Sequence, residues 1–343
     1  MTDINIRITG RAGRITLQRP DALNAMTYEM CAAIEAALMD WQHNDAVDLV
    51  IIDALGTRAF CAGGDIADLY QTGRVGNFAF GQKFWADEYR LNALIARYPK
   101  PYIAFMQGFT MGGGVGISCH GSHRIVGESS KIAMPECGIG LVPDVGGSYI
   151  LSRAPGYLGE YLGLTTERMG PSDAIMVGFA DYFIPQAKWP ILTDELEQSG
   201  DPKTVLKYVS QAPEGNLQTT LPLINSVFSL GDLGSIARKL AQDDSDFAGA
   251  TLKSISRNSP LSMACAVKIL SLLRSECGSL ETALEYEYRF TARSMEYGDF
   301  LEGIRAAIID KDRMPNWRNE LHNVPSDDIE KMLAPLGSLD LQL

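Results

Sequence analysis

The first forty residues of the chain show two kinds of hydrophobic spacing. Ile4–Ile8 and Arg14–Gln18 alternate apolar and polar side chains on either side of a turn at Gly10–Gly13, and this alternation predicts two short strands. Apolar side chains then recur every three or four residues, which predicts a helix. The helical positions are Met30, Ile34, Leu38 and Trp41.

Further along, short apolar runs alternate with helical patterns up to about residue 190. The runs at 48–56 and 101–108 have the continuous apolar character of strands that are buried on both faces. Shorter strands are predicted at 123–127, 131–136 and 178–185, and helices at 78–97, 146–156 and 158–165. Strands that alternate with helices indicate an α/β core with βαβ-type crossovers.

The strand signals stop near residue 200. Residues 280–297 and 299–312 carry helical periodicity, so the rest of the chain is expected to be mainly helical. We therefore predict two domains: residues 1–200 form the α/β core that carries the functional site, and residues 201–343 form a helical C-terminal region.

The charge balance limits the partners of the chain. A formal charge of −12 argues against nucleic acid or an anionic membrane, because both require a cationic surface. It leaves room for a phosphate-bearing small ligand, which a few local amides, lysines or arginines can hold. The sequence has no apolar stretch near the ~18 residues of a membrane helix and opens without a leader pattern, so a cytoplasmic location is expected.

The cysteines indicate neither disulfides nor a metal site. The six cysteines are scattered without CxxC pairs, so reduced thiols are expected in a chain of this size. The cluster Cys119–His123 is followed by no second pair at ligand spacing, and we therefore expect no bound metal.

Two glycine-rich segments, 59–65 and 107–116, each follow an apolar run. A phosphate-binding P-loop is excluded because no Gly-Lys-Ser/Thr closes either motif. The dinucleotide fingerprint lacks its third glycine, where Ile117 stands, and a nucleophile elbow would need glycine in place of His120. Two bare amides from separate loops can form an oxyanion hole for a carbonyl oxygen; glycines that only permit tight helix–strand packing give the same pattern.

Three segments in this order, 60–66 (FCAGGDI), 107–116 (QGFTMGGGVG) and 134–147 (MPECGIGLVPDVGG), resemble the enoyl-CoA hydratase/isomerase (crotonase) superfamily. This resemblance covers about residues 1–190 and implies a crotonase-like spiral of β-β-α units. It is greatest with the 3-hydroxyisobutyryl-CoA hydrolases. With these it extends over nearly the whole chain through the segments 88–95, 257–262, 287–290 and 299–312.

The resemblance implies roles for the two glycine loops. By position in the superfamily motifs, the amides of Gly64 and Gly113 would form the oxyanion hole. The residues Ala62, Gly64, Asp65 and Ile66 would lie along the CoA moiety of the substrate. The CoA-thioester site would therefore belong to the predicted core of residues 1–200.

The resemblance also assigns the acidic residues. Hydratases of the superfamily carry one glutamate two residues after GGG, where this chain has Gly116, and a second one that matches Glu136. The hydrolases instead have an aspartate that matches Asp144 and a glutamate that matches Glu88. Glu136 and Asp144 are thus the implied catalytic acids, and together with Glu88 and Gly113 they would contact the substrate.

The function implied by the resemblance is hydrolysis of a β-hydroxyacyl-CoA, namely 3-hydroxyisobutyryl-CoA in valine degradation. It implies no cofactor besides the coenzyme A of the substrate, and a homo-oligomer formed through C-terminal helices. Two other functions stay open on the same fold. One is an enoyl- or dienoyl-CoA hydratase or isomerase, and the other is a non-catalytic CoA-ester or RNA-binding protein.

Each acidic residue also has a purely structural interpretation. Glu88 would lie on a solvated helix face, Glu136 would cap a turn, and Asp144 after a proline is a common turn residue. The combination of these three acids with the two glycine loops favours the catalytic interpretation over the structural ones.

Overall fold

The computed structural model describes residues 3–343 and divides the chain into two compact units. The first unit comprises the chain up to Asp65, Arg90–Ala133 and Arg168–Asn216. The second unit comprises Ile66–Tyr89, Met134–Glu167 and Leu217–Leu343. The units are interleaved along the chain, whereas the sequence analysis places one boundary at residue 200.

The strands of the described residues all belong to the first unit. They are β1 (Ile4–Thr9), β2 (Ala12–Leu17), β3 (Leu49–Ala54), β4 (Ala59–Cys61), β5 (Tyr102–Met106), β6 (Phe109–Met111), β7 (His123–Val126), β8 (Lys131–Ala133) and β9 (Tyr182–Phe183). Six of them form a sheet in the order β1-β2-β3-β5-β7-β9, in which the first pair is antiparallel and the others are parallel. The order β4-β6-β8 forms a small parallel sheet.

The helices in residues 3–343 are more numerous than the strands. They are α1 (Tyr28–Trp41), α2 (Ala67–Arg74), α3 (Phe78–Ala96), α4 (Gly113–Gly116), α5 (Gly147–Ser152), α6 (Leu158–Thr165), α7 (Pro171–Val177), α8 (Trp189–Ser199), α9 (Leu217–Phe228), α10 (Leu233–Ala241), α11 (Asp246–Ile255), α12 (Pro260–Ser275), α13 (Leu280–Tyr297), α14 (Phe300–Ile304) and α15 (Ser326–Leu333). The region after residue 200 is helical, as its periodicity predicts.

The core of the first unit lies between the large sheet and α8. Alternate residues of the central strands are fully buried there, including Leu49, Ile51 and Ile103. Leu192 and Leu196 of α8 belong to the same cluster. Because both faces of these strands are covered, their sequences are continuously apolar rather than alternating.

Helix packing and an ion pair with a buried glutamate stabilise the second unit. Gly159 of α6 lies so close to α5 that a Cβ atom would come within 2.1 Å of the Leu151 carbonyl oxygen. On the same helix Glu160 is 2% exposed and receives two hydrogen bonds from the guanidinium of Arg274 on α12. These contacts fix α6 against its neighbours.

Three further observations concern membranes, metals and thiols. None of the described helices combines the length and the apolar character needed to cross a membrane. Residues 3–343 contain no group of three His, Cys, Asp or Glu side chains placed to hold a metal ion. All six cysteines are free thiols.

Candidate active site

The first predicted amide belongs to Gly64, in the loop that follows β4. This loop pairs with the chain at Met26 through a parallel bridge, in which the Gly63 carbonyl accepts from the Met26 amide and the Asp65 amide donates to the Met26 carbonyl. The bridge uses the groups on either side of Gly64 and not the Gly64 amide. That amide therefore stays available to a ligand.

The second predicted amide belongs to Gly113, the first residue of α4. A helix cannot satisfy the N–H groups of its own first turn, so the Gly113 amide has no partner within α4. Gly112 precedes it with φ of 48°, and a Cβ on Gly114 would lie 2.4 Å from the Cys61 carbonyl oxygen. Tight packing therefore explains Gly114, and the oxyanion-hole interpretation of Gly64 and Gly113 stays a prediction.

The residues predicted to lie along CoA form a partly exposed segment. Ala62, Gly64 and Asp65 of the first unit are each of intermediate exposure. Asp65 is fixed by an ion pair of 3.0 Å with the guanidinium of Arg19. Ile66, in the second unit, is also half-buried and precedes α2.

The three predicted carboxyl groups all lie in the second unit and are all buried. Glu88 on α3 is 4% exposed, and Glu136 and Asp144 are each 5% exposed. Glu136 begins a 3-10 turn after Pro135, and Asp144 lies in the loop before α5. The solvated-face interpretation of Glu88 is therefore wrong.

Part of this carboxyl cluster has no hydrogen-bond partner. Among the described residues, Oε1 of Glu88 and Oε2 of Glu136 are buried and unpaired. Asp144 is different, because the Tyr89 hydroxyl donates a hydrogen bond of 2.7 Å to its Oδ2 atom. Unpaired buried polar atoms are rare in folded proteins and call for a functional explanation.

Burial and mutual repulsion raise the pKa values of the cluster. Burial, followed by the charge of Asp144, holds the pKa values of Glu88 and Glu136 well above their usual range. Burial also raises the pKa of Asp144, to about 7, while the hydrogen bond from Tyr89 opposes that rise by favouring the charged form. Burial and mutual repulsion therefore favour at least one protonated carboxyl group in the cluster near neutrality.

The turn after Asp144 is anchored by a residue that the sequence analysis did not assign. Val145 and Gly146 both have positive φ, of 51° and 78°. Glu287 on α13 accepts hydrogen bonds from the Gly146 and Ser148 amides, at 2.8 and 3.1 Å, and from the Ser148 hydroxyl. The signal available in the sequence was the segment 287–290, which carries part of the resemblance but whose role the pattern does not reveal.

Comparisons with known proteins identify the family. The family model described as enoyl-CoA hydratase/isomerase matches residues 12–333. The chain belongs to this family. The match confirms the superfamily assigned from the three segments and the predicted α/β crotonase-like fold.

Curated members of the enoyl-CoA hydratase/isomerase family share more than a third of their sequence with the chain. It is 36% identical to the mitochondrial 3-hydroxyisobutyryl-CoA hydrolase of Gallus gallus, over 99% of this chain and 91% of the relative. It is 40% identical to the mitochondrial 3-hydroxyisobutyryl-CoA hydrolase of Xenopus tropicalis, over 97% of this chain and 89% of the relative.

Solved structures of the family cover the chain equally well. A structure described as an enoyl-CoA hydratase from Rhodobacter sphaeroides is 52% identical, has a TM-score of 0.95 and covers 100% of both chains. One described as a carnitinyl-CoA dehydratase from Mycobacterium thermoresistibile is 36% identical with a TM-score of 0.94, over 100% of this chain and 99% of that one. The family is therefore certain, and the descriptions of its members differ in the reaction.

Proposed function

We propose that the chain hydrolyses the thioester of 3-hydroxyisobutyryl-CoA, giving 3-hydroxyisobutyrate and coenzyme A, as a step of valine degradation. The observation that carries the proposal is the buried cluster of Glu88, Glu136 and Asp144, with unpaired oxygens on both glutamates. The names of the curated relatives support the same reaction. The residue at position 116 weighs against hydration, because Gly116 has no acid to hold water.

In the proposed reaction the amides of Gly64 and Gly113 hold the carbonyl oxygen of the thioester. Backbone amides stabilise the negative charge that develops on this oxygen, and one such donor contributes about 3–4 kcal/mol to transition-state stabilisation. The segment from Ala62 to Ile66 contacts coenzyme A, and Glu88 orients the substrate hydroxyl or the water.

Glu136 and Asp144 divide the proton chemistry between them. In the reactive form Glu136 is a carboxylate and Asp144 carries the proton that the pair shares. Glu136 either attacks the carbonyl carbon to form a mixed anhydride or takes a proton from the attacking water. Asp144, which also binds the substrate hydroxyl, gives its proton to the departing thiolate. In the general-base form the water proton goes to Glu136 and then returns to Asp144. In the nucleophile form Asp144, now a carboxylate, takes a proton from the water that hydrolyses the anhydride, and Glu136 is released as a carboxylate. Both forms restore the starting protonation after one turnover.

The test is release of free thiol from 3-hydroxyisobutyryl-CoA, measured beside hydration of an enoyl-CoA and isomerisation of a dienoyl-CoA. We expect thiol release from the hydroxyacyl thioester and no change in either unsaturated thioester. Glu136→Gln and Asp144→Asn should each abolish thiol release while leaving binding of the CoA ester intact. Hydration without thiol release, or near-normal turnover in either variant, would refute the proposal.

A second candidate, an enoyl-CoA hydratase, has one specific observation in its favour. The relative that is 52% identical is described as an enoyl-CoA hydratase. The same assay decides between the two reactions, because hydration leaves the thioester intact and releases no thiol.

Three further properties belong to the proposal. The reaction needs no metal or cofactor, so a chelator should leave the rate unchanged. A homo-oligomer forms through the C-terminal helices, which light scattering would detect as a mass above 37.4 kDa. The cytoplasmic location stays a prediction, and the names of the curated relatives specify mitochondria for those proteins.

A further inference from the structure

The backbone that follows Asp144 has an unusual conformation. Val145 has φ of 51°, which is rare for a β-branched residue, and Gly146 continues in the left-handed region with φ of 78°. Residues in such conformations persist only when their surroundings hold them there, and they are concentrated at active sites. The direction in which Asp144 points therefore depends on what holds this turn.

Glu287 holds the turn from the side of α13. The side chain is fully buried, and both of its carboxylate oxygens are used. Oε2 accepts from the Gly146 amide at 2.8 Å, and Oε1 accepts from the Ser148 amide at 3.1 Å and from the Ser148 hydroxyl. Three donors from two residues, Gly146 and Ser148, thus converge on one carboxylate.

The other sides of the turn are also closed. A Cβ atom on Gly147 would lie 2.5 Å from Cε of Met134, so the turn cannot move in that direction without displacing a side chain. The Tyr89 hydroxyl donates to Asp144 and lies 3.4 Å from the Thr291 hydroxyl, which is one helical turn along α13 from Glu287. One helix therefore supports both the backbone and the side chain of the Asp144 segment.

We propose that Glu287 is a positioning residue, whose carboxylate fixes the Val145–Ser148 turn so that Asp144 presents its carboxyl group for proton transfer. The inference rests on the proposed hydrolase function and adds to it a residue that does not touch the substrate. A purely structural role, as an anchor for the start of α5, would require the same hydrogen bonds but would affect stability rather than turnover.

The test compares Glu287→Gln with a matched substitution in the same unit. Glutamine carries an NH2 group in place of one oxygen, so at least one donor of the turn loses its acceptor. We expect kcat to fall by about 10- to 100-fold, the range typical of residues that orient catalytic groups, with KM changed less than about threefold. Ser148→Ala, which keeps both amide bonds to Glu287, should lose less activity.

The control is Glu160→Gln, which removes the charge of another buried glutamate, the partner of Arg274 on α12. It should lower the melting temperature at least as much as Glu287→Gln while leaving kcat unchanged. If Glu287→Gln keeps its kcat, or if both variants lose activity in proportion to melting temperature, the positioning role is wrong.

Hydrogen exchange separates this inference from the proposed function, because it does not depend on turnover. A peptide that covers residues 144–150 should exchange faster in Glu287→Gln and not in Glu160→Gln. Unchanged exchange would overturn the positioning role even in an active enzyme. If Glu287→Gln exchanges faster but the wild type releases no thiol, Glu287 still anchors the turn, and only the hydrolase proposal is rejected.

Discussion

Asp144 and Glu136 are two acids that the fold removes from water while allowing at least one to ionise. Their raised pKa values make them able to exchange a proton near neutral pH, which carboxyl groups in water cannot do. The only hydrogen bond between side chains that tunes Asp144 in the described residues comes from Tyr89. This bond offers a way to test which acid gives up the proton.

Tyr89→Phe should move the pH dependence of kcat to higher pH. The Tyr89 hydroxyl lowers the pKa of Asp144, so its removal raises that pKa and keeps the shared proton bound to higher pH. The rate should therefore fall at a higher pH than in the wild type, as measured by thiol release. Tyr288→Phe, at the neighbouring ring, is the control and should leave the profile in place. A shift to lower pH would show that Asp144 is not the proton donor.

Asp144→Asn should stabilise the folded protein at high pH. Since the folded state raises the pKa of Asp144 from its ordinary value to about 7, the folded state binds more protons between about pH 4 and 7, and wild-type stability falls as pH rises through that window. The asparagine variant does not ionise, so it avoids this loss of stability, and its side-chain oxygen can still accept the hydrogen bond from the Tyr89 hydroxyl. Calorimetry should show a gain in melting temperature about 2–5 °C larger at pH 8 than at pH 5. An equal gain in melting temperature at pH 5 and pH 8 would contradict the raised pKa of Asp144.

The sequence predicted three candidate acids, which are all buried in the second unit, but it did not predict the residue that supports them. Glu88, Glu136 and Asp144 lie in recognisable motifs, whereas the contact between Gly146 and Glu287 joins residues 141 positions apart. Neither the hydrophobic periodicity nor the residues of a local turn can predict a hydrogen bond between residues so far apart in the sequence. Only packing of α13 against the Asp144 turn brings it together.

At the scale of elements, close approaches between segments determine where glycine is required. Gly303 of α14 has no room for a side chain, because a Cβ atom would lie 2.1 Å from the Ile139 carbonyl oxygen, in the turn that begins with Glu136. Gly249 of α11 has open space at the same position. The two glycines have different roles although both lie in helices.

Gly303→Ala should destabilise the protein, and Gly249→Ala should not. Backbone cannot retreat as a flexible side chain can, so the first substitution should cost about 1–3 kcal/mol in the free energy of unfolding and lower kcat by displacing the turn of Glu136. The second should stabilise by about 0.5–1 kcal/mol, since alanine favours helix. Denaturant unfolding measures both. Equal stability of the two variants would mean that α14 can move away from the turn.

Element prediction succeeded where the hydrophobic period was long and failed where a turn interrupted it. The strand predicted at 101–108 is confirmed as β5 (Tyr102–Met106), but the strand β6 that follows it was not predicted. The chain turns between them at Gly108, whose φ is 56° and whose Cβ would lie 2.2 Å from the Arg58 carbonyl oxygen. The strand β6 therefore starts a separate sheet with β4 and β8. Three-residue strands such as β4 carry too few positions for alternation to reveal them.

At the scale of the whole molecule, the formal charge of −12 argues against the alternative that the chain is a non-catalytic RNA-binding protein. RNA binding depends on neutralising phosphates with lysine and arginine, and an acidic protein lacks that contribution. We expect filter binding at physiological salt to retain no RNA above background, with a basic RNA-binding protein as positive control. Retention that falls as salt rises would restore the RNA-binding alternative.

The interleaving of the two units has a consequence for synthesis on the ribosome. The segment with Glu136 and Asp144 emerges early, but Glu287 is added 139 residues after Ser148. At translation rates of about 5–20 residues per second, the acids wait on the order of ten seconds for the helix that anchors them. We therefore expect a nascent chain that ends before α13 to be inactive, and premature termination between Asp144 and α13 to yield a protein with its acids present and its catalysis lost.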